Sequence, residues 1–213
     1  MHLIHRGILN KNFKENILSS FKASFQKGYG IETDIHATKD NKFICFHDFT
    51  LNRIFKIKRS IKNLDYQYLK NISKVRKIEI PLLNDLLRLS KNKYYLFIEI
   101  KPYFSKKLLK KLIKETNKFN KCVFISFKEK NIYDLLKIKK DINVGLSFSS
   151  NISTKIIIQK SKNININCLI LDKYFINNKK INEINKKKYF YTIKKKKDFL
   201  KYKKKKNLII ENL

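Results

Sequence analysis

Residues that interrupt or divide a chain are scarce in this sequence of 213 residues, which has only 4 glycines and 2 prolines. No glycine-rich or proline-rich stretch offers a linker, so we expect one domain over residues 1–213 and no second domain. Hydrophobic residues still form 43% of the chain and aromatic residues 13%. A chain of this size and composition can fill a large core, which argues against intrinsic disorder.

Cysteine pairs and long apolar runs are also absent. Cys45, Cys122 and Cys168 are widely spaced, and no C-x-x-C pair or zinc-type spacing occurs, so we expect buried, reduced thiols in a reducing compartment. No basic segment is followed by an apolar run of signal-peptide length, which disfavours secretion. No apolar run approaches the roughly 20 residues that span a bilayer. Together these absences predict a cytoplasmic protein.

Acidic residues are few, at 17 against 50 lysines and arginines, and the formal net charge is +33. Such a charge suggests nucleic acid or anionic membranes as partners. Lysine supplies nearly all of it, however, whereas specific recognition of bases depends largely on arginine. We therefore expect no specific nucleic-acid partner, a weak and salt-dependent contact with anionic membranes, and a solvated helix face for the lysine run 194–206. The arginines are Arg6, Arg53, Arg59, Arg76 and Arg88.

The stretch 30–48, GIETDIHATKDNKFICFHD, brings acids and histidines together within a short span. Residues 31–35 predict a strand, and side chains two apart on a strand share a face. Three side chains should therefore point the same way: Glu32, Asp34 and His36. A turn follows, and a second short strand over 43–46 leads to His47. Since a parallel crossover needs about a dozen residues, these strands should form an antiparallel hairpin.

The rest of the chain alternates strands and helices, which predicts an α/β fold with eight strand–helix units, a (β/α)8 TIM barrel. We expect a short hairpin arm and a small loop and helix insertion, over approximately 48–80, after the second strand. The predicted barrel strands are 2–6, 31–35, 94–101, 122–126, 142–146, 168–172, 189–193 and 208–210. The predicted helices are 15–27, 66–72, 82–90, 106–117, 129–139, 153–162, 179–186 and 196–205.

Barrel enzymes place their catalytic residues at the C-terminal ends of the strands. Several polar residues fall at such ends here, and they are His5, Arg6, Glu32, Asp34, His47, Glu99 and Lys101. Three carboxylates with few soft ligands suit a hard cation such as Mg²⁺ or Ca²⁺. Two histidines remain for proton transfer, and the neighbouring arginine and lysine suggest an anionic substrate such as a phosphate ester.

In order and spacing, these residues resemble the motifs of the glycerophosphodiester phosphodiesterase family: HRG, an E-x-D strand, a T-x-D-G turn, HD and E-x-K. The corresponding segments are His5-Arg6-Gly7, Glu32-Thr33-Asp34, Thr38-Lys39-Asp40-Asn41, His47-Asp48 and Glu99-Ile100-Lys101. Glu15-Asn16 is similar to the family's E-N-T helix start, Arg53 to an arginine after the HD, and Ser126-Phe127 to an S-F pair. The resemblance covers nearly the whole chain.

The resemblance implies a role for each of seven residues. Glu32, Asp34 and Glu99 would hold one divalent cation, Mg²⁺ or Ca²⁺, with Mn²⁺ as an alternative. His5 and His47 would be general base and acid, and Arg6 and Lys101 would bind the phosphate. The substrate's glycerol 2-hydroxyl would attack phosphorus, and water would open the resulting cyclic phosphate. The partner would thus be a small glycerophosphodiester, yielding glycerol 3-phosphate and an alcohol.

Three segments depart from the family pattern. The family's W-T-V-N stretch stands here as 191–194, Tyr-Thr-Ile-Lys, and the chain has no tryptophan. The closing T-D-x-P is replaced over 211–213 by Glu-Asn-Leu. Asn41 replaces the usual glycine of the turn, a mild change because asparagine tolerates a positive φ.

Two other functions use the same residues. One is a lysophospholipase D-like enzyme working at membranes, which would need a more apolar substrate wall. The other is a catalytically inactive basic barrel that binds phosphate-rich surfaces, and the intact set of seven residues argues against it. We expect His2 to be structural, His36 to lie outside the site, and Asp48 to pair with Arg53. The sequence makes no prediction of oligomeric state.

Overall fold

The computed structural model describes residues 1–11 and 13–211. Eight parallel strands close into a barrel, because each pairs with its neighbour in chain order and the last strand pairs with the first. The barrel strands are β1 (His2–His5), β2 (Gly30–Ala37), β4 (Leu96–Ile100), β5 (Cys122–Ser126), β6 (Val144–Phe148), β7 (Cys168–Asp172), β8 (Lys187–Ile193) and β9 (Asn207–Ile210). The predicted (β/α)8 barrel is confirmed.

Two apolar clusters build the barrel. The interior is filled by side chains that alternate along the strands, including Leu3, Phe97, Ile125, Ile170 and Ile209. A larger cluster lies between the outer face of the strands and the surrounding helices. The helices are α1 (Leu18–Gln26), α2 (Asn52–Phe55), α3 (Tyr66–Arg76), α4 (Leu83–Ser90), α5 (Lys106–Thr116), α6 (Glu129–Ile138), α7 (Thr154–Ser161), α8 (Lys179–Asn182) and α9 (Lys196–Tyr202).

The hairpin arm is antiparallel, as predicted: β2 pairs with β3 (Phe43–Cys45), with His36 opposite Ile44. The expected end of the second strand at residue 35 is wrong, because pairing with β3 extends β2 to Ala37. Glu32 and Asp34 therefore lie inside β2 rather than at its end. The turn between the two strands contains Asn41 at φ 59°, the positive φ that its side chain tolerates.

The segment between β3 and α4 has its own apolar cluster, which includes Leu51, Phe55, Leu64 and Leu69. It contains α2, a 3₁₀ turn over Ile61–Asn63, and α3. The structure thus gives this predicted insertion a packed interior against Ile44 of the hairpin arm. Among the described residues, no helix is both long and apolar enough to cross a membrane.

Several predicted boundaries were wrong, and pairing explains them. The strand predicted over 142–146 runs instead over Val144–Phe148, because Phe148 pairs with Leu171 of β7. The helix predicted over 179–186 ends at Asn182, since β8 already begins at Lys187, opposite Cys168. The helix predicted from residue 15 begins only at Leu18. Residue 211 is the one position of the closing segment 211–213 that the structure describes.

Candidate active site

Three buried carboxylates meet inside the barrel at the C-terminal end of the strands. Asp34 of β2 is in register with Glu99 of β4, and Glu32 lies two residues before Asp34 on the same strand face. One oxygen of each of these carboxylates lies within 4.8 Å of an oxygen of the others. Among the described residues, Asp134 is the one other buried carboxylate, and it pairs with Lys130 on a helix. The barrel mouth thus concentrates negative charge in one place.

The pKa values of the three clustered carboxylates are shifted in different directions. Burial raises the pKa of Asp34, but the charges of Lys101 and Arg6 outweigh it and hold that pKa at about 2. Burial and the charge of Asp34 raise the pKa of Glu99 to about 7, and burial and the other two carboxylates raise that of Glu32 well above its ordinary value. Glu32 Oε2 is buried with no hydrogen-bond partner among the described residues. The cluster therefore has room for more positive charge.

Two cations face this cluster. Lys101 Nζ lies 2.8 Å from Asp34 Oδ1 and 2.8 Å from Glu99 Oε1. Arg6 Nε lies 3.1 Å from Asp34 Oδ2. Arg6 adopts φ 57° where β1 turns, and its backbone N–H donates to the carbonyl of Glu32 at 2.7 Å. The next residue, Gly7, has φ +82°, and a Cβ there would come within 2.3 Å of Ser20 Oγ, so this turn needs glycine.

His5, the last residue of β1, contacts two carboxylates. Its Nδ1 lies 2.5 Å from Glu211 Oε2, just beyond β9, and its Nε2 lies 3.8 Å from Glu32 Oε2. The hydrogen bond with His5 holds the pKa of Glu211 at about 2. Glu211 Oε1 also lies 2.9 Å from Lys194 Nζ. An ionised Glu211 accepts the Nδ1–H of His5, which leaves Nε2 facing the cluster.

His47, like His5, has its Nδ1 next to a carboxylate. Its Nδ1 lies 2.7 Å from Asp48 Oδ1, and Arg53 Nε donates to Asp48 Oδ2 at 2.6 Å. Arg53 also donates to Glu15 Oε1 at 2.5 Å, and Glu15 Oε2 lies 3.5 Å from Arg6 Nη1. Burial lowers the pKa of the His47 imidazole, although the charge of Asp34 opposes that shift. A continuous set of charged contacts thus links the insertion to the first strand.

Two further side chains, Asn16 and His36, support this arrangement through hydrogen bonds. Asn16, at φ 55°, accepts from Thr33 Oγ1 at 2.8 Å and donates to Asp34 Oδ2 at 3.3 Å. His36 Nε2 donates to the carbonyl of His47 at 3.1 Å, and its ring meets Phe49 edge-on at 5.1 Å. Burial lowers the pKa of His36 to about 4, so its ring is neutral near pH 7.

Comparison with known proteins identifies the family. A profile of the glycerophosphoryl diester phosphodiesterase family matches residues 5–210. The chain belongs to this family. A glycerophosphodiester phosphodiesterase of Caldanaerobacter subterraneus is 30% identical over 161 residues, which are 68% of this chain and 65% of that protein. The chain therefore spans just under two thirds of that relative's length.

Solved structures share the fold. A glycerophosphodiester phosphodiesterase from Thermotoga maritima is similar with a TM-score of 0.82 and 20% identity, covering 98% of this chain and 93% of that chain. An Oleispira antarctica phosphodiesterase in complex with the product sn-glycerol-3-phosphate has a TM-score of 0.84 and 20% identity, covering 99% and 92%. At these identities the likeness shows a common fold, and the predicted family rests on the profile match.

Residues of the HRG, E-x-D, HD and E-x-K motifs border one cavity of about 360 Å³. Six of the seven predicted site residues line it, and Asp34 contacts two of those six. The apolar residues that border the cavity are Phe127 and three residues of the barrel interior, Ile125, Ile170 and Ile209. Tyr191 stands in the family's tryptophan segment: its hydroxyl donates to the carbonyl of Phe148 at 3.0 Å, and its ring meets Phe127 edge-on at 5.9 Å. An aromatic wall is therefore present without tryptophan.

Sequence reasoning missed several residues at this family site. Glu211 occupies the closing segment, and its signal was an acid directly after the last strand. Glu15 and Asn16 were predicted in a helix, but their contacts with arginines and with Asp34 keep them in the preceding loop. Asp48 pairs with Arg53 as predicted. His36 lies outside the cavity, as expected, yet binds the carbonyl of His47. Of the other cavity residues, Ser147 has no motif signal, whereas Thr192 and Lys194 lie in the segment that stands for the family's W-T-V-N stretch.

Proposed function

We propose that the protein hydrolyses glycerophosphodiesters to glycerol 3-phosphate and an alcohol. One observation supports this most: two of the three clustered carboxylates and two histidines, each histidine bound to its own carboxylate, border one cavity in a chain of this family. The Oleispira antarctica structure holds sn-glycerol-3-phosphate. A small anionic substrate of this kind suits a cavity of about 360 Å³ that Arg6, Lys101 and Lys194 line.

Glu32, Asp34 and Glu99 would hold one divalent cation, Mg²⁺ or Ca²⁺, with Mn²⁺ as an alternative. An all-oxygen ligand set suits these hard cations. Glu32 Oε2, which has no hydrogen-bond donor among the described residues, and the raised pKa values of Glu32 and Glu99 fit a group that adds positive charge here. When bound, such a cation would neutralise charge on the phosphate oxygens.

His5 and His47 would move the protons. In the first step, one imidazole takes the proton of the glycerol 2-hydroxyl, whose oxygen bonds to phosphorus. The bond from phosphorus to the alcohol oxygen breaks, and the other imidazole gives that oxygen its proton. In the second step the two imidazoles exchange roles: one takes a proton from the water that attacks phosphorus, the bond from phosphorus to the 2-oxygen breaks, and the other imidazole returns a proton to that oxygen. We assign His5 and His47 as general base and acid because each has its Nδ1 on a carboxylate and both line the cavity.

Arg6 and Lys101 would bind the phosphate of the substrate. Both line the cavity, and both already contact Asp34. The charges of Asp34 and Glu99 outweigh burial and raise the pKa of Lys101, which keeps its ammonium protonated. Two fixed cations are suited to the negative oxygens of a phosphodiester and to the added charge of its transition state.

The test is release of glycerol 3-phosphate from glycerophosphocholine and glycerophosphoethanolamine with Mg²⁺, Ca²⁺, Mn²⁺ or a chelator. Release should require a cation and should be lost in His47→Ala. The matched control is His2→Ala, since His2 packs on Phe199 at the other end of β1 and should not affect turnover. Full turnover in His47→Ala, or in chelator, would refute the proposed chemistry.

A lysophospholipase D-like activity is the second candidate, and the aromatic wall favours it. Phe127, which is 44% exposed, and Tyr191 border the cavity and offer contacts to an acyl chain that glycerophosphocholine lacks. Choline release from lysophosphatidylcholine and from glycerophosphocholine should be compared under the same cation. A higher kcat/KM for the lysolipid would establish this alternative.

We also propose a cytoplasmic setting. The three cysteines are buried and unpaired. Burial raises the pKa of the Cys45 thiol to about 12, and those of Cys122 and Cys168 equally. Three protected thiols and no disulfide among the described residues fit a reducing compartment.

A further inference from the structure

Four exposed aromatic side chains surround the mouth of the barrel at the end that holds the carboxylate cluster. They are between 44% and 72% exposed. Tyr103, Phe127 and Tyr174 lie just after the C-terminal ends of the parallel strands β4, β5 and β7, whereas Phe49 meets His36 near the C-terminal end of β2. We call this set the aromatic rim, and it consists of Phe49, Tyr103, Phe127 and Tyr174.

The distribution of exposed rings is one-sided. Among the described residues, the aromatic side chains that are strongly exposed are the aromatic rim and Tyr95. Tyr95 directly precedes β4 and therefore lies at the opposite end of the barrel. The rim rings are not part of the packed core, since they lie outside its three apolar clusters. Lysines, by contrast, are dispersed over the chain, so the aromatic rim is what distinguishes this end.

Contacts with neighbouring residues position the rim rings but leave much of each ring exposed to solvent. Phe127 meets Tyr191 edge-on, and Lys128 Nζ lies 4.7 Å from the centre of the Tyr103 ring. Tyr174 belongs to a 3₁₀ turn over Lys173–Phe175, and its backbone N–H donates to Asp172 Oδ1 at 2.8 Å. The rings therefore project from anchored loops around an open mouth.

The charge beside the aromatic rim is positive. Exposed lysines stand next to Tyr174 and directly after β8, and they are Lys173, Lys194, Lys195 and Lys196. Of the acids at this end, Asp48 pairs with Arg53, Glu211 with His5 and Lys194, and Asp172 accepts from the turn that holds Tyr174, while Asp198 lies in the first turn of α9. Among the described residues Lys173, Lys195 and Lys196 form no ion pair, so anionic groups outside the protein would meet these ammonium groups.

We propose that the barrel mouth docks on an anionic lipid bilayer through the aromatic rim and these lysines. Aromatic side chains favour the headgroup region of a bilayer, and lysines are attracted to anionic headgroups. Separate rings around an open mouth suit a fluid surface, which needs no shape complementarity, better than a folded protein partner. This inference goes beyond the proposed function, because it holds whichever phosphodiester is cleaved.

The test is sedimentation with phosphatidylcholine vesicles that contain about one third phosphatidylserine, at physiological ionic strength. We expect wild-type protein to bind these vesicles and not pure phosphatidylcholine vesicles. The double variant Tyr103→Ser/Tyr174→Ser should bind about tenfold more weakly. Neither tyrosine lines the catalytic cavity, so hydrolysis of glycerophosphocholine without vesicles should be unchanged. That assay separates failure of docking from failure of the proposed reaction.

The matched control is Tyr95→Ser/Ile164→Ser, which removes two exposed apolar side chains at the other end of the barrel. Tyr95 also matches Tyr103 in having a lysine over its ring, Lys121 at 5.6 Å. This control should bind vesicles like the wild type. Equal binding by both double variants would show attraction by charge alone and would overturn the proposal, as would absence of wild-type binding to the anionic vesicles.

Discussion

His5 Nδ1 and Glu211 Oε2 lie 2.5 Å apart, joining the ends of the first and last barrel strands. A carboxylate at this nitrogen fixes the tautomer and orientation of the ring, which leaves Nε2 for the proton transfer that we propose. We expect Glu211→Gln to lower kcat about 10- to 100-fold with little change in KM, because the amide no longer carries the charge that stabilises a protonated imidazole. Steady-state kinetics on glycerophosphocholine would measure both constants.

The control for this variant is Lys194→Met. Glu211 also contacts Lys194, so part of any effect could come from releasing that lysine. Lys194→Met removes the lysine while Glu211 still binds His5. A kcat loss as large in Lys194→Met as in Glu211→Gln would count against the role assigned to the His5–Glu211 pair.

The same carboxylate predicts a pH dependence of stability. The folded-state pKa of Glu211 is about 2, below its ordinary value of 4.5. A depressed folded pKa contributes stability above the unfolded pKa, and this contribution is lost as pH falls from about 4.5 toward 2. Wild type should therefore exceed Glu211→Gln in urea midpoint near neutral pH, and the difference should shrink below about pH 4.5. A difference that stays constant with pH would contradict this.

Cation dependence should respond to Glu32. Its Oε2 is buried with no hydrogen-bond donor among the described residues, and Glu32→Gln replaces the carboxylate by an amide and removes one charge. We expect the cation concentration for half-maximal activity to rise at least about tenfold. The rise in Tm that the cation produces in the wild type should also diminish. Asp134→Asn is the matched control, because it neutralises a buried carboxylate that pairs with Lys130 outside the site. An unchanged cation titration in Glu32→Gln would exclude it as a ligand.

Periodicity and spacing predicted much of the fold because they report local preferences. The strands over 122–126 and 168–172 were placed to the residue, since each is a short apolar run with clear ends. Strand ends that depend on pairing were predicted wrongly. β2 extends to Ala37 because β3 pairs with it, and β6 extends to Phe148 because that residue pairs with β7.

Long-range contacts explain what was missed at the site. Glu211 lies 206 residues from His5 in sequence, and only closure of the barrel brings them together. Asn16 was predicted in a helix on local pattern alone, whereas its side chain binds Thr33 and Asp34 across the first strand–helix unit. The proximity of the seven motif residues could be predicted because family spacing records such contacts, which composition and periodicity do not.

Arg53 connects the insertion to His47 and provides a final prediction. It binds both Asp48 and Glu15, so Arg53→Ala should leave Asp48 free to move and His47 less well oriented. We expect kcat to fall about tenfold. Because the Arg53 side chain is half exposed, the free energy of unfolding should change by less than about 1 kcal/mol. Arg59→Ala is the matched control, since Arg59 lies over Tyr68 in the same segment without touching these acids. Equal kcat losses in the two variants would show that the insertion acts only through its general stability, because only Arg53 contacts the partner of His47.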